Sequence, residues 1–354
     1  MNFIQIADIH LGASPEAGSR DKGQREKEIW ERFYEVIDLC EEKQIDLLLI
    51  AGDLFHRQPL LRELKEINYH FGRLSRTKVV LIAGNHDYIR KDSRYLQITW
   101  SENVYPLFEN TLNQAVIEEL ELAVYGFSYD RREIREARYD QAYAPRAMKY
   151  EILLAHGGDE THIPMKKAKL KALGYDYIAL GHIHKPQMIL KDYAAFSGSL
   201  EPLDQNETGR HGFLLGEITE KGTQIRFVPF AKRQYVHLTL KMNAGMTQGA
   251  LRMKIRKEIE AHGIENLYKI ILEGQRDPEV VYDLEDLDSH GNLVGILDHT
   301  IPAYDYEQLF EKNQENLLGR LIGHFAGSAP ESVEYQAMCE GVSAILAAME
   351  ERNQ

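Results

Sequence analysis

The first 190 residues alternate between short apolar runs and longer stretches with helical spacing. Residues 3–7 predict a strand. Residues 46–51 and 78–83 are almost unbroken apolar runs, the pattern of strands buried on both faces. Between them, residues 25–43 carry Ile29, Phe33, Val36, Ile37 and Cys40 at the three-to-four-residue recurrence of an amphipathic helix, and residues 60–75 predict a second helix. Residues 123–127, 151–155 and 175–180 predict three more strands, the last preceded by a Lys-rich helix at 165–173. Apolar strands alternating with helices imply a layered α/β architecture. From Gln187 to Pro229 short alternating runs with glycine turns predict further β structure.

The pattern changes again near Ala231-Lys232-Arg233. Residues 1–230 therefore form the expected main domain. Beyond it, a strand at 236–242, a helix at 247–262 and a strand at 267–273 predict a smaller α/β cap domain over residues 231–303. Residues 304–354 predict a helical tail of two helices, 304–325 and 332–352, separated by Gly327-Ser328-Ala329-Pro330. Leu309, Phe310, Leu317, Leu318 and Leu321 give the first tail helix an apolar face. Val333, Ala337, Val342 and Leu346 do the same for the second. Each face packs on the cap or receives a partner.

Composition narrows the class. Hydrophobic residues make up 44% and charged residues 27% of the chain, the balance of a globular protein in water. No apolar run approaches a membrane span, and residues 1–7 lack the basic and apolar regions of a signal peptide. Only Cys40 and Cys339 are present, so no disulfide framework is implied and a reducing cytoplasm fits. The net charge of −13 weighs against a nucleic-acid partner. Residues 231–354, however, hold 12 Lys and Arg against 20 Asp and Glu, which leaves the main domain the less acidic part.

Five polar clusters then stand out, each at the exit of an apolar run: Asp8-Ile9-His10, Gly52-Asp53-Leu54-Phe55-His56, Gly84-Asn85-His86-Asp87, His156-Gly157-Gly158 and Gly181-His182-Ile183-His184. In α/β sheets ligands gather beyond the carboxyl ends of strands. An Asp after a strand is commonly a turn residue, and a lone His commonly a surface one. Five such clusters in one order point instead to a shared site for two cations. Mixed carboxylate, amide and imidazole donors suit manganese, iron or zinc, and no cysteine lies near any cluster to suggest structural zinc.

The order DxH, GDxxH, GNHD, H, GHxH over residues 1–230 resembles the calcineurin-like metallophosphoesterase superfamily. Asp8-Ile9-His10-Leu11-Gly12 and Gly52-Asp53-Leu54-Phe55-His56 resemble the SbcD-type DNA repair exonucleases within it. Ser197-Gly198-Ser199-Leu200-Glu201-Pro202, with Glu207-Thr208-Gly209 and His211-Gly212, is similar to the YhaO branch of that group. The resemblance implies a layered fold of β-sheets flanked by helices. It also implies two divalent ions, with Mn2+ the first choice and Fe or Zn the alternatives. Asp8, His10 and His184 would hold one ion, Asn85, His156 and His182 the other, and Asp53 would bridge them. A hydroxide between the ions would attack the phosphodiester in line. His86 would sit over the scissile phosphate, Asp87 would orient His86, and His56 would make a second phosphate contact. The other histidines, His70, His162, His211, His237, His262, His290, His299 and His324, are expected to be structural or exposed.

The resemblance further implies 3′-to-5′ exonuclease action on duplex DNA and endonuclease action on single strands. It implies docking of the C-terminal helices on an SMC-like coiled-coil ATPase, and a homodimer. Arg57, Arg62, Lys65, Arg90, Lys91, Arg94, Lys166, Lys167, Lys169 and Lys171 follow three of the clusters and are expected to meet a DNA backbone. Two other readings use the same residues. One is a small-molecule or cyclic-nucleotide phosphodiesterase, or a protein phosphatase. The other is a DNA-end scaffold that recruits the ATPase.

Overall fold

The computed structural model describes residues 1–21, 23–329 and 332–352. Its contacts group into two units, one of Met1–Val236 with Glu265–Leu267 and one of His237–Ile264 with Tyr268–Gln354. The first unit contains β1 (Asn2–Ile6), α1 (Arg25–Glu42), β2 (Leu47–Ala51), α2 (Leu61–Gly72), β3 (Lys78–Ile82), β4 (Val104–Pro106), β5 (Asn113–Ile117) and β6 (Leu122–Gly126). It continues through β7 (Tyr150–His156), α3 (Lys167–Leu170), β8 (Tyr177–Gly181), β9 (Gln187–Leu190), β10 (Ala194–Phe196), β11 (Gly212–Thr219) and β12 (Gly222–Pro229).

These strands form two six-stranded sheets, ordered β12-β11-β1-β2-β3-β4 and β5-β6-β7-β8-β10-β9. Strands β1 to β4 run parallel, as do β6, β7, β8 and β10. The alternation within β2 shows why its sequence is apolar throughout. Leu47, Leu49 and Ala51 pack with Leu122, Val124, Ile152 and Leu154 of the other sheet. Leu48 and Ile50 face the opposite way, against Ile29, Phe33 and Val36 of α1 and Leu64 and Ile67 of α2. A strand covered on both sides has no solvent face on which to place polar residues. The second sheet repeats the arrangement, with Ala123, Tyr125, Leu153 and Ile178 in a separate outer core.

Every main-domain strand expected from the apolar runs is present within two residues of its expected ends. Strands β4 and β5 were not foreseen. The first is three residues ending in Pro106, and the second is an edge strand whose Asn113, Gln114 and Val116 face outward. The Lys-rich helix is shorter than expected: α3 is four residues long and continues as a 3-10 turn at Lys171–Leu173.

The second unit holds most of β13 (Tyr235–Met242) and of β14 (Leu267–Arg276), with β15 (Leu293–Pro302) and helices α4 (Gln248–His262), α5 (Tyr306–Asn313), α6 (Leu317–Phe325) and α7 (Val333–Arg352). Strand β15, which the sequence pattern did not show, pairs parallel to β14. The single helix expected at 304–325 is two. The Asn316 side chain accepts hydrogen bonds from the backbone N–H groups of Leu318 and Gly319 and starts α6 afresh. Leu318, Ile322, Met338 and Val342 form the small core of these helices, while Leu317 and Val333 remain exposed. Pro330 of the expected separator lies outside the described residues. No helix among the described residues is long and apolar enough to cross a membrane.

Candidate metal centre

Strands β1, β2 and β3 of one sheet and β7 and β8 of the other end on the same side, and their exits carry the five clusters. The backbone there is strained. Asp8, His10, Asp53 and His182 all adopt positive φ (52°, 52°, 48° and 103°), although side-chain-bearing residues avoid that region. Glycines make the convergence possible. A Cβ on Gly84 would overlap Asp53 Oδ1, and one on Gly52 (φ 90°) would overlap the His156 ring.

The donor atoms meet as two groups. In the first, His10 Nε2 lies 3.2 Å from His184 Nε2 and 3.7 Å from Asp53 Oδ2. Asp8 belongs to the same group, its ligand atom within 4.8 Å of those of His10 and His184. In the second, Asn85 Oδ1 lies 2.9 Å from His156 Nε2 and 3.2 Å from His182 Nδ1. Asp53 Oδ2 lies 3.5 Å from His156 Nε2, so this carboxylate stands between the groups. All seven ligands expected from the resemblance are therefore brought together. Asp8, His10, Asp53, Asn85 and His156 are buried.

The electrostatics of this cluster suit cations. Burial pushes the Asp8 carboxyl up to about 6. Burial acts the same way on Asp53, but the charge and hydrogen bond of His156, with the charge of His10, outweigh it and hold that carboxyl well below the usual carboxylate range. Burial would depress His156, yet Asp53 carries it up to about 9. Glu207 and Asp8 do the same for His184. Burial pushes His10 well down. Buried carboxylates draw protons onto neighbouring imidazoles, and divalent ions would replace those protons.

The outward nitrogens are pinned. His156 Nδ1 donates to the Ala51 carbonyl at 2.8 Å, His182 Nε2 to Asp159 Oδ2 at 2.7 Å, and His184 Nδ1 to Glu207 Oε1 at 2.6 Å. Fixing the outward N–H leaves the inward nitrogen as a lone-pair donor, as ligation requires. The residues present therefore fit a two-ion centre.

Of the three further residues expected at the site, Asp87 takes a different role from the expected one. His86 is half-buried beside the cluster, its ring 4.7 Å from that of His10 and 5.2 Å from that of His56. Its Nδ1 donates to the His56 carbonyl at 3.1 Å, which fixes one of its two ring nitrogens. Asp87 does not orient His86. Its side chain turns into the interior, where it accepts hydrogen bonds from the backbone of Gly84 and Phe55 and from the Tyr95 hydroxyl at 2.9, 3.1 and 2.7 Å. Burial pushes its carboxyl up to about 7. Asp87 thus ties the third cluster to the second from below. His56 is exposed, with Nδ1 3.3 Å from His10 Nδ1.

The sequence reading missed Asp159 and Glu207, and assigned His162 to structure or surface. His162 Nδ1 lies 2.9 Å from Asp159 Oδ2, and its ring is 4.5 Å from that of His182. Asp159 stands three residues after His156, and Glu207 falls in the stretch similar to the YhaO branch. Neither position carries a spacing that marks it. Among the basic residues, Arg57 is held by Glu63, Arg90 by Asp92, Arg94 by the Pro59 carbonyl and Lys169 by Asp140. Arg62, Lys65, Lys91, Lys166, Lys167 and Lys171 are exposed.

The metallophosphoesterase YhaO of Bacillus subtilis is 31% identical over 260 residues, covering 64% of this chain and 60% of YhaO. The DNA double-strand break repair protein Mre11 of Methanocaldococcus jannaschii is 29% identical over 222 residues, 58% of each chain. Mre11 of Archaeoglobus fulgidus is 26% identical over 319 residues, 79% of this chain and 66% of that one. The chain spans less than two thirds of the length of each of these relatives. The family model for calcineurin-like phosphoesterases matches residues 1–186. With more than half of its length matched, and the donor set converging at the strand exits, the chain belongs to the calcineurin-like phosphoesterase family.

Proposed function

We propose that this chain hydrolyses DNA phosphodiesters at a two-ion centre, as a 3′-to-5′ exonuclease that also cuts single strands. The observation that carries this reading is Asp53, buried between two groups of donors that each have three further ligands. The similarity to proteins named for DNA double-strand break repair supports DNA as the substrate.

Asp8, His10 and His184 would hold one ion, Asn85, His156 and His182 the other, and Asp53 both. Bound ions of this kind supply a nucleophile at neutral pH and neutralise charge on the phosphoryl oxygens. Manganese suits the mixed oxygen and imidazole donors. His86, with Nδ1 spent on a carbonyl, holds at Nε2 the proton that the leaving oxygen takes. His56 offers a second imidazole to the phosphate. The exposed lysines and arginines contact the backbone without reading sequence.

The test uses the chelator-treated chain supplied with manganese, zinc or nothing. Each sample is assayed on linear duplex DNA, single-stranded circles and bis-p-nitrophenyl phosphate. Manganese-dependent loss of labelled 3′ ends supports the reading. Hydrolysis of the small ester with DNA left intact would replace it with a small-molecule phosphodiesterase. Cleavage of DNA that does not weaken as salt rises would remove the backbone contacts.

The same reading includes an SMC-like ATPase that docks on the C-terminal helices, where Leu317 and Val333 are exposed. Co-purification unchanged by Leu317→Asp with Val333→Asp would remove that partner. It also includes a homodimer, which a monomer mass in light scattering would exclude.

A further inference from the structure

The two histidines of the Gly181-His182-Ile183-His184 motif present different nitrogens to the centre. His182 turns Nδ1 inward, 3.2 Å from Asn85 Oδ1, and its Nε2 meets Asp159. His184 turns Nε2 inward, 3.2 Å from His10 Nε2, and its Nδ1 meets Glu207. A neutral imidazole with no fixed partner can take either tautomer and can flip about its Cβ–Cγ axis. Both freedoms exchange the nitrogen offered for ligation. Here a separate carboxylate removes them at each ring.

Both carboxylates are themselves held. Asp159 accepts hydrogen bonds from the Thr161 backbone and hydroxyl at 2.7 and 3.0 Å, from the His162 backbone at 2.8 Å and from the His162 ring. The second oxygen of Glu207 accepts from the Leu203 backbone at 2.8 Å. Its loop is fixed by the buried Ser199–His211 hydrogen bond at 2.8 Å and by the Ser199 backbone N–H donating to the His184 carbonyl. A carboxylate that could swing away would not select a tautomer. Asp159 cannot swing without breaking four hydrogen bonds besides that to His182, and Glu207 cannot without breaking its bond from Leu203.

We propose that Asp159 and Glu207 are positioning residues that assign His182 and His184 to different ions by fixing opposite tautomers, an inference that rests on the two-ion reading above. Asp159 then controls the ion shared with Asn85 and His156, and Glu207 the ion shared with Asp8 and His10. Each acts on one ion and leaves the other alone.

The test is manganese titration of the chelator-treated full chain, followed by calorimetry and electron paramagnetic resonance. The wild type is expected to bind two ions and to show the signal of adjacent, coupled ions. Asp159→Ala and Glu207→Ala should each weaken one ion about 10–100-fold, the usual effect of losing a carboxylate behind a ligating histidine. A double-mutant cycle identifies which. In an Asn85→Ala background, which already lacks the second ion, adding Asp159→Ala should leave the remaining affinity unchanged. Adding Glu207→Ala there should lower it about 10–100-fold. Asp159→Asn and Glu207→Gln keep an acceptor oxygen and should recover part of the loss.

Two ions bound as in the wild type by both alanine variants would overturn the proposal, as would both variants weakening the same ion. A third ion per chain that disappears in Asp159→Ala would also overturn it, by making Asp159, His162 and His182 a cation site of their own. Fewer than two ions in the wild type would sink the two-ion reading itself, a distinct result. Should an alanine variant fail to fold, nitrogen-15 histidine spectra of the zinc-loaded wild type decide the matter. His182 should carry its proton on Nε2 and His184 on Nδ1, and a common tautomer would overturn the proposal.

Discussion

The two units differ in what they place in their interiors. The first buries Asp8, His10, Asp53, Asp87 and His156 at or beside strand ends, together with charged groups elsewhere such as Arg25, Glu28 and Glu201. It also contains every side-chain-bearing residue with positive φ among the described residues. Among the described residues of the second unit, the buried ones are hydrophobic or glycine apart from Asn292. Strand β15, with Leu297, Asp298 and His299 exposed, is no more than half-buried along its length. Buried charge and left-handed backbone each cost stability, and a fold retains them where the surrounding structure over-determines them. At the strand exits Asp8, His10 and Asp53 combine the two, each buried and each with positive φ, and that combination is what separates a site built for chemistry from an ordinary hydrophobic core.

Substitutions can break this contrast. The largest effect is expected from Asp53→Ala, which removes the carboxylate between the donor groups. Hydrolysis of bis-p-nitrophenyl phosphate should fall by more than about 10⁴-fold, beyond the range of a single lost acid–base group, and both ions should be lost in calorimetry. Binding of two ions by this variant would refute the bridging role. Next comes His86→Ala, which spares all seven ligands. It should lower the rate by about 10²–10⁴-fold while the ion count stays at the wild-type value. A rate within a few-fold of wild type on DNA would favour the scaffold reading instead.

Two smaller effects sharpen the comparison through stability. Leu154→Ala opens a cavity between the two sheets, where the side chain is fully buried. It should destabilise by about 2–5 kcal/mol in denaturant unfolding. Leu297→Ala, on β15 with 39% of the residue exposed, should change stability by no more than about 0.5 kcal/mol and leave ester hydrolysis unaltered. A loss of hydrolysis in Leu297→Ala would show that the second unit takes part in the chemistry.

Much of this was legible in the chain. Strands β2 and β3 announce themselves because both faces are covered, so every residue except Lys78 at the start of β3 is apolar. Strand β5, at an edge, alternates weakly and was missed. The seven proposed ligands came from the resemblance of the motifs to a known family, and each lies at the end of a strand or within four residues beyond it. Asp87 was misjudged for the same reason that Asp159 and Glu207 were overlooked: the direction of a side chain leaving a loop depends on what it packs against. Asp87 adjoins His86 in sequence and yet turns under the loop towards Tyr95.

The sequence by itself determined the layered architecture and the strand exits, because burial periodicity and local order are properties of the chain, and its motifs, through their resemblance to a known family, named the proposed donors. Tertiary structure alone decided that two sheets, rather than one, bring their ends together. It also decided which nitrogen of each histidine faces inward, because those choices are made by contacts such as His182 with Asp159 and His184 with Glu207, residues 23 positions apart in each pair.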